Sequence, residues 1–179
     1  MKKKPLLRVE SLQTILNKDR KQKILVSDVS FAVAEGETLA IIGESGSGKT
    51  TLALSLVKLL SKEFSVSGRA LLGNIDLLSL SPARLRQARG KEIALVFQDP
   101  DSALNPVFTI GDQVAEVFEV HEKCSREAAE QQAIEMLNLV GIPRAALAFD
   151  TYPHQISGGM KQRVMIAIAM SVRPKLIIL

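Results

Sequence analysis

Cysteine is nearly absent from this chain: Cys124 is the only one in 179 residues. A lone thiol excludes an internal disulfide and a cysteine-based metal cluster. Cys124 lies in a polar stretch before Ser125 and reads as incidental. Long apolar runs are missing as well. Residues 52–60 are interrupted by Ser55 and Lys58, and residues 164–170 are too few, so no segment reads as a membrane span. Met1-Lys2-Lys3-Lys4 is followed by only a short mixed segment, so no secretory signal is read. The chain is therefore expected to be soluble in itself and to reach a membrane only through a partner. A strong basic stripe is missing too. The net charge is +4, and it comes partly from the triple lysine and partly from Asn17-Lys18-Asp19-Arg20-Lys21-Gln22-Lys23. Both read as a solvated tail and turn rather than a nucleic-acid or lipid patch. There is no internal repeat and no low-complexity tract. What remains, with 46% hydrophobic residues, is one globular domain with room for a substantial core.

Against these absences stands one dense string, Gly43-Glu44-Ser45-Gly46-Ser47-Gly48-Lys49-Thr50. It fits G-x-x-x-x-G-K-[ST], a loop that cradles nucleotide phosphates. Its glycines let successive backbone N–H groups turn inward toward phosphate oxygens. A helix starting behind it adds unpaired N–H groups and the positive end of its dipole. In such a loop Lys49 reaches the β- and γ-phosphates and the Thr50 hydroxyl ligates Mg²⁺, with Thr51 next in line. The competing reading is a glycine-rich turn that binds nothing. A chance match in a chain this long is roughly a one-in-a-hundred event, and the flanking context lowers that further. That context is an apolar run, Thr38-Leu39-Ala40-Ile41-Ile42, predicted as a buried strand, and a predicted helix over residues 51–60.

Elsewhere the pattern alternates between strands and helices. Residues 6–12 predict a first strand, residues 24–26 and 29–33 two more, and Glu35-Gly36-Glu37 a tight turn. Residues 66–73 predict a strand ending at a turn, and residues 92–97 another. Ser81-Pro82 opens a short helix that Gly90 is expected to close. The helix after Lys49 is apolar almost all round and should lie buried against a sheet. This mixture argues α/β. From about Pro100 to Gln155 strand signals fade. Thr109 and Asp112 fit a capping box, followed by Ile110, Val114, Val117 and Phe118 on one helical face. Ala129, Ala133, Met136, Leu137 and Val140 form a second stripe, closed by Gly141. Both stripes read as core.

A second string narrows the class. Ser157-Gly158-Gly159-Met160-Lys161-Gln162-Arg163 opens a helix running to about Ser171, with Ser157 as N-cap. With the phosphate loop, it makes the chain resemble the ATPase subunit of an ATP-binding-cassette (ABC) transporter. Such subunits carry a phosphate loop, a glutamine at a strand end (here Gln98) and a signature close to Leu-Ser-Gly-Gly-Gln. Phe97-Gln98-Asp99-Pro100, Ser102-Ala103-Leu104-Asn105-Pro106 and the run from Tyr152-Pro153-His154-Gln155 to Met160 are similar to the dipeptide, oligopeptide and nickel importers. Met160 at the fifth signature position departs from the general pattern and is similar to one of the two unlike ATPase subunits these importers use. The resemblance covers about residues 6–179.

The resemblance implies a RecA-like P-loop NTPase core over residues 1–98 and 164–179, with an antiparallel part at about 6–36, and a helical subdomain over 99–163. It implies that Gln98 ligates Mg²⁺ and senses the γ-phosphate. It implies that Ser157, Gly158, Gly159, Met160 and Gln162 act in trans on ATP held by a partner's loop. The partners implied are a second, unlike ATPase subunit, integral membrane permeases and, indirectly, a substrate-binding protein. Nucleic acid is not among them. The location implied is cytoplasmic, peripheral on the inner face of the cell membrane. Two departures qualify this. The strand at residues 174–179 stops where the family places an aspartate and then the glutamate that activates water, so the chain is expected to be an incomplete cassette without its general base. The family also places an aromatic ring against adenine near the end of the first strand, where this chain has Thr14-Ile15-Leu16-Asn17, with Leu16 as substitute. The alternatives are a catalytically inactive nucleotide-binding module and a non-transport ABC protein such as a DNA-repair or translation factor.

Overall fold

A computed structural model describes residues 5–179; the Lys2-Lys3-Lys4 tail lies outside them. The chain forms two compact units, Met1–Gln87 and Ala88–Leu179.

In the first unit β1 (Pro5–Lys18) and β2 (Lys21–Ala34) form a long antiparallel hairpin. Its two turn residues, Asp19 and Arg20, are both left-handed at φ 51° and 59°. That is the primed turn whose twist matches the strands it joins. The charged stretch read as a turn is this one. The two short strands expected at 24–26 and 29–33 are one irregular strand, because β1 supplies ladder partners along its whole length. β3 (Phe64–Leu72) pairs with the other side of β1, and the two-residue β4 (Ile75–Asp76) follows, giving the order β2-β1-β3-β4. Leu7, Val9, Leu12 and Thr14 of β1 are buried, and α1 (Lys49–Leu56) turns Leu52, Ser55 and Leu56 inward.

The segment between β2 and the loop differs from expectation. Residues 38–42 form no strand, and Ile42 is 92% exposed. Strand preference is a fit to neighbouring strands rather than a property of the backbone alone. In the four-stranded sheet none of β1 to β4 offers these residues a ladder. Only the turn before them is pinned, by the Glu37 carboxylate accepting from Ala34 N at 2.6 Å. Helix α1 is also shorter than expected, with Val57 as its C-cap and Lys58 left-handed at φ 49°.

The second unit begins within α2 (Pro82–Lys91). Gly90 does not close that helix. The His121 ring stands 3.2 Å from where a Cβ would sit, so the glycine makes room for a neighbour instead. β5 (Ile93–Leu95) pairs in parallel with β6 (Leu176–Ile178). Between them lie α3 (Pro100–Ala103), α4 (Ile110–Glu122), α5 (Arg126–Leu139), α6 (Ala145–Ala148) and α7 (Gly158–Ser171). Helices α4, α5 and α7 share one core, in which Ile110, Val114, Ala129, Ala133, Leu137 and Val164 are all fully buried. Both apolar stripes face it, except that Val117 of the first is only half-buried and lies outside this core, and Gly141 ends α5 at φ 79°.

Caps fix where these helices begin. Thr109 Oγ1 accepts from Asp112 N at 3.0 Å, and the Asp112 carboxylate answers to the Thr109 backbone and hydroxyl. Arg126 ties α5 to α4 by bonding Asp112, Glu119 and Glu130 at once. Burial acts to raise the Asp112 pKa, but the bonds from Thr109 and Arg126 and the Arg126 charge outweigh it and hold it below the ordinary 3.8. A depressed carboxylate contributes stability that is complete above its unfolded value and is lost as pH falls through its folded value. Asp112→Asn should therefore flatten the acid-side decline of the urea midpoint below about pH 4. An unchanged acid slope would remove Asp112 from the account.

Candidate functional site

Gly43 to Thr50 wrap into a loop whose last glycine, Gly48, is the left-handed N-cap of α1 at φ 95°. A Cβ there would stand 2.7 Å from the Leu25 carbonyl oxygen, so only glycine lets the loop rest on β2. Gly46 is also left-handed, at φ 81°, and faces open space. No side chain caps α1, and no acidic residue occupies its first turn. The first N–H groups of any helix have no acceptor within it, so Lys49, Thr50 and Thr51 present theirs at an electropositive end. The Lys49 ammonium folds across the loop and donates to the carbonyls of Gly43 at 2.8 Å and Glu44 at 2.7 Å. It also lies 3.4 Å from Ser47 Oγ. One cation thus sits across a loop of mostly small residues at an uncapped helix start. That combination has the chemistry to receive a polyphosphate.

A cleft at the loop is lined by Leu25, Gly46, Gly48, Lys49, Thr50 and Thr51. Leu25 escaped the sequence reading. It is the extra residue where Ile15 pairs with Ile24 but Thr14 with Val26. The only signal was an apolar residue in a short predicted strand. Leu16 is half-buried on β1 and is not part of that lining; its ladder partners are Lys23 and Phe64. An aromatic ring, missing from residues 14–17, therefore stands across from Leu16 on β3.

The other predicted residues belong to the second unit. Gln98 is exposed just beyond β5. Ser157 caps α7, accepting from Met160 N at 3.4 Å. Cβ atoms built on Gly158 and Gly159 would meet nothing within 4 Å. No packing among the described residues requires glycine there; what these two residues keep bare is the approach to the helix start. Gln162 is exposed and Met160 half-buried against the helical core. Lys161 pairs with Asp101, and Arg163 donates to the Gly141 carbonyl at 2.6 Å, tying α7 to the end of α5. Among the described residues no group of three or more His, Cys, Asp or Glu could hold a metal ion. No described helix is long and apolar enough to cross a membrane.

A phosphate loop running into a helix, followed by a capped Ser-Gly-Gly helix start, is the pattern of an ATP-binding cassette, and the comparisons agree. The ABC transporter family model matches residues 26–179, and the chain belongs to that family. It is 44% identical to the glutathione import ATP-binding protein GsiA of Escherichia coli (strain K12) over 97% of its own length and 29% of the relative's. It is 40% identical to a putative peptide import ATP-binding protein of Brucella abortus (strain 2308), over 99% of its length and 55% of the relative's. The chain thus spans between about a quarter and about half of these relatives. Among solved structures, the ATP-binding cassette MJ0796, a dimer bound to ADP and Pi, aligns at TM-score 0.83 and 26% identity, covering 96% of this chain and 72% of that one. The cbiO1 protein of Clostridium perfringens, part of the ABC transporter complex cbiONQ, aligns at 0.77 and 28%, covering 97% and 64%. The fold is that of a P-loop NTPase cassette, and the two curated relatives named here are both import ATP-binding proteins.

Proposed function

We infer that this chain is the ATP-binding part of an importer for peptides, with nickel as the other cargo its sequence resembles. The observation that carries the nucleotide part of this is the loop itself, where Lys49, Thr50 and Thr51 of the uncapped start of α1 line one cleft beside Leu25. ATP would be held by Gly43, Glu44, Ser45, Gly46, Ser47, Gly48, Lys49, Thr50 and Thr51, with Leu16 as a contact to the base. Mg²⁺, which would neutralise phosphate charge, would be held by the Thr50 hydroxyl together with phosphate oxygens, and the resemblance assigns Gln98 to the same ion. Gln98 leads from β5 into the helices, so its state can be passed to them. The division into a core of residues 1–98 and 164–179 and a helical subdomain of 99–163 follows the same reading.

Ser157, Gly158, Gly159, Met160 and Gln162 are assigned to ATP on a second, unlike ATPase subunit. The bare helix start at Gly158 and Gly159 supports this, since an incoming phosphate meets no side chain there. Closure around nucleotide would then use charge-assisted hydrogen bonds made only when ATP is present. Permease subunits in the membrane, with a substrate-binding protein beyond them, complete the proposed assembly, and its place is the inner face of the cell membrane. A second reading is a nucleotide-binding module without hydrolysis, and the phosphate-release measurement below separates the two.

Ser157→Arg tests the trans assignment. It should leave ATP affinity of the monomer within about twofold, because the altered group lies off the loop, yet abolish ATP-dependent dimerisation measured by sedimentation. A loss of monomer affinity matching that of Lys49→Ala would overturn it. Phosphate release by the 179-residue chain should stay near that of Lys49→Ala. A transporter-like rate that Lys49→Ala abolishes would place a base elsewhere.

A further inference from the structure

Inward positions of β1 are filled by Leu7, Val9 and Leu12, and then by a hydroxyl, Thr14. Thr14 is 0% exposed, and so is Ser55 on α1. A buried hydroxyl without a partner costs about 1–3 kcal/mol, so two of them facing each other in an apolar core call for a reason. Their oxygens are 2.8 Å apart, and Ser55 Oγ lies 2.6 Å from the Thr51 carbonyl oxygen. These distances settle the direction of the chain. A carbonyl can only accept, so the one Ser55 proton goes to Thr51. Ser55 Oγ is then left to accept, and Thr14 must donate. The result is a polarised relay, Thr14 O–H to Ser55 O–H to the Thr51 carbonyl, in surroundings of low dielectric that strengthen each link.

The relay ends on a residue that lines the cleft. The seating of α1 on the sheet has a second point. Gly48 rests on the Leu25 carbonyl and beside Val26, the ladder partner of Thr14. Seven residues separate Gly48 from Ser55, about 10 Å along the helix at 1.5 Å per residue. The Gly48 contact is steric and limits how closely the helix approaches. The Ser55 contact is a hydrogen bond, and hydrogen bonds are directional, so it sets how far the helix is turned about its axis. Side-chain ends lie about 5–6 Å from a helix axis, so a turn of roughly 10° moves them by about 1 Å. A displacement of that size matters for groups aimed at a phosphate.

We propose that Thr14 is a positioning residue for the phosphate loop: through Ser55 its hydroxyl fixes the rotation of α1, and with it the aim of Thr50 and Thr51 on a nucleoside polyphosphate. The proposal rests on the reading of the loop as a nucleotide site. It predicts a loss confined to phosphate recognition. Thr14→Val keeps shape and removes the donor. Thr14→Ser keeps the donor and loses a methyl group. Ser55→Ala breaks the relay at its middle. The probes are trinitrophenyl-ATP and trinitrophenyl-adenosine, which share base, sugar and fluorophore and differ in phosphates.

Thr14→Val and Ser55→Ala should weaken trinitrophenyl-ATP about 3- to 10-fold, the worth of one net hydrogen bond, and leave trinitrophenyl-adenosine within about twofold. Thr14→Ser should restore the wild-type preference. If Thr14→Val weakens both probes by the same factor, or neither, the hydroxyls serve only to satisfy each other and the proposal is overturned. Melting temperatures taken alongside separate this from loss of fold, since a smaller folded fraction lowers both probes together. A wild-type chain that shows no preference for the triphosphate probe would instead reject the nucleotide reading, and the positioning role with it.

Discussion

Lys49→Ala should cost this chain most of its affinity for Mg-ATP while leaving its melting temperature nearly unchanged. The two halves of that expectation have separate grounds. Lys49 is half-buried at the first position of α1, and its aliphatic stem fills no part of the core. Its ammonium donates to the Gly43 and Glu44 carbonyls at the mouth of the loop. In binding, that same ammonium would bridge phosphate oxygens, the only full positive charge among the residues lining the cleft. A hydrogen bond to a charged group is worth about 1.5–3 kcal/mol, so its loss corresponds to about a 10- to 150-fold weaker complex. The variant also frees two loop carbonyls that would face phosphate, which adds to the loss. Calorimetric titration reads the result directly. Affinity within a factor of two of wild type would reject the loop as the site.

The largest expected effect on stability lies far from any phosphate, at Gly111. A Cβ there would stand 2.1, 2.2 and 2.5 Å from Cγ, Cδ2 and Cδ1 of Phe149. No real side chain tolerates such contacts, and the ring is not free to swing away. It is buried in the helical core, and its own backbone carbonyl accepts from Gly111 N at 3.0 Å. Gly111→Ala gains about 1 kcal/mol of helix propensity. Against this, it must either strain α4 or expel the ring, and loss of a buried Phe costs about 3–5 kcal/mol. A net loss of about 3 kcal/mol is expected, read from urea denaturation. Phe149→Leu in the same chain should recover part of it, because the clash is with the ring and the two changes share one contact. A midpoint unchanged by Gly111→Ala would show that the helices separate more readily than their packing implies.

What the residues disclosed beforehand, and what they withheld, divides by the range of the interaction responsible. Thr109 and Ser157 were readable as caps because a cap is settled within four residues. The stripes of α4 and α5 were readable because helical period is local, and Ala129, Ala133 and Leu137 are indeed buried. The loop from Gly43 to Thr50 was readable because backbone geometry there demands small residues at fixed spacing. Leu25 was not, since its place beside the loop depends on a shift in pairing between β1 and β2. Nor was the meeting of Thr14 with Ser55, residues 41 apart that share no local signal. Residues 38–42 mark the same boundary from the other side. Their composition asks for a strand, but a strand exists only where another chain segment supplies hydrogen bonds.

That last stretch has a consequence for how the protein behaves in solution. Thr38-Leu39-Ala40-Ile41-Ile42 is a short uncharged run, β-branched at three of five positions, without proline and with its backbone in no ladder. Segments of this kind nucleate intermolecular sheets when left open. The acidic residues Glu35, Glu37 and Glu44 stand on either side of it. Like charges bracketing a sticky run repel a second copy arriving in register, which is how natural sequences guard strands they cannot do without. The three glutamates stand where such guards belong, and high salt, which screens them, should bring the chains together before the fold itself gives way.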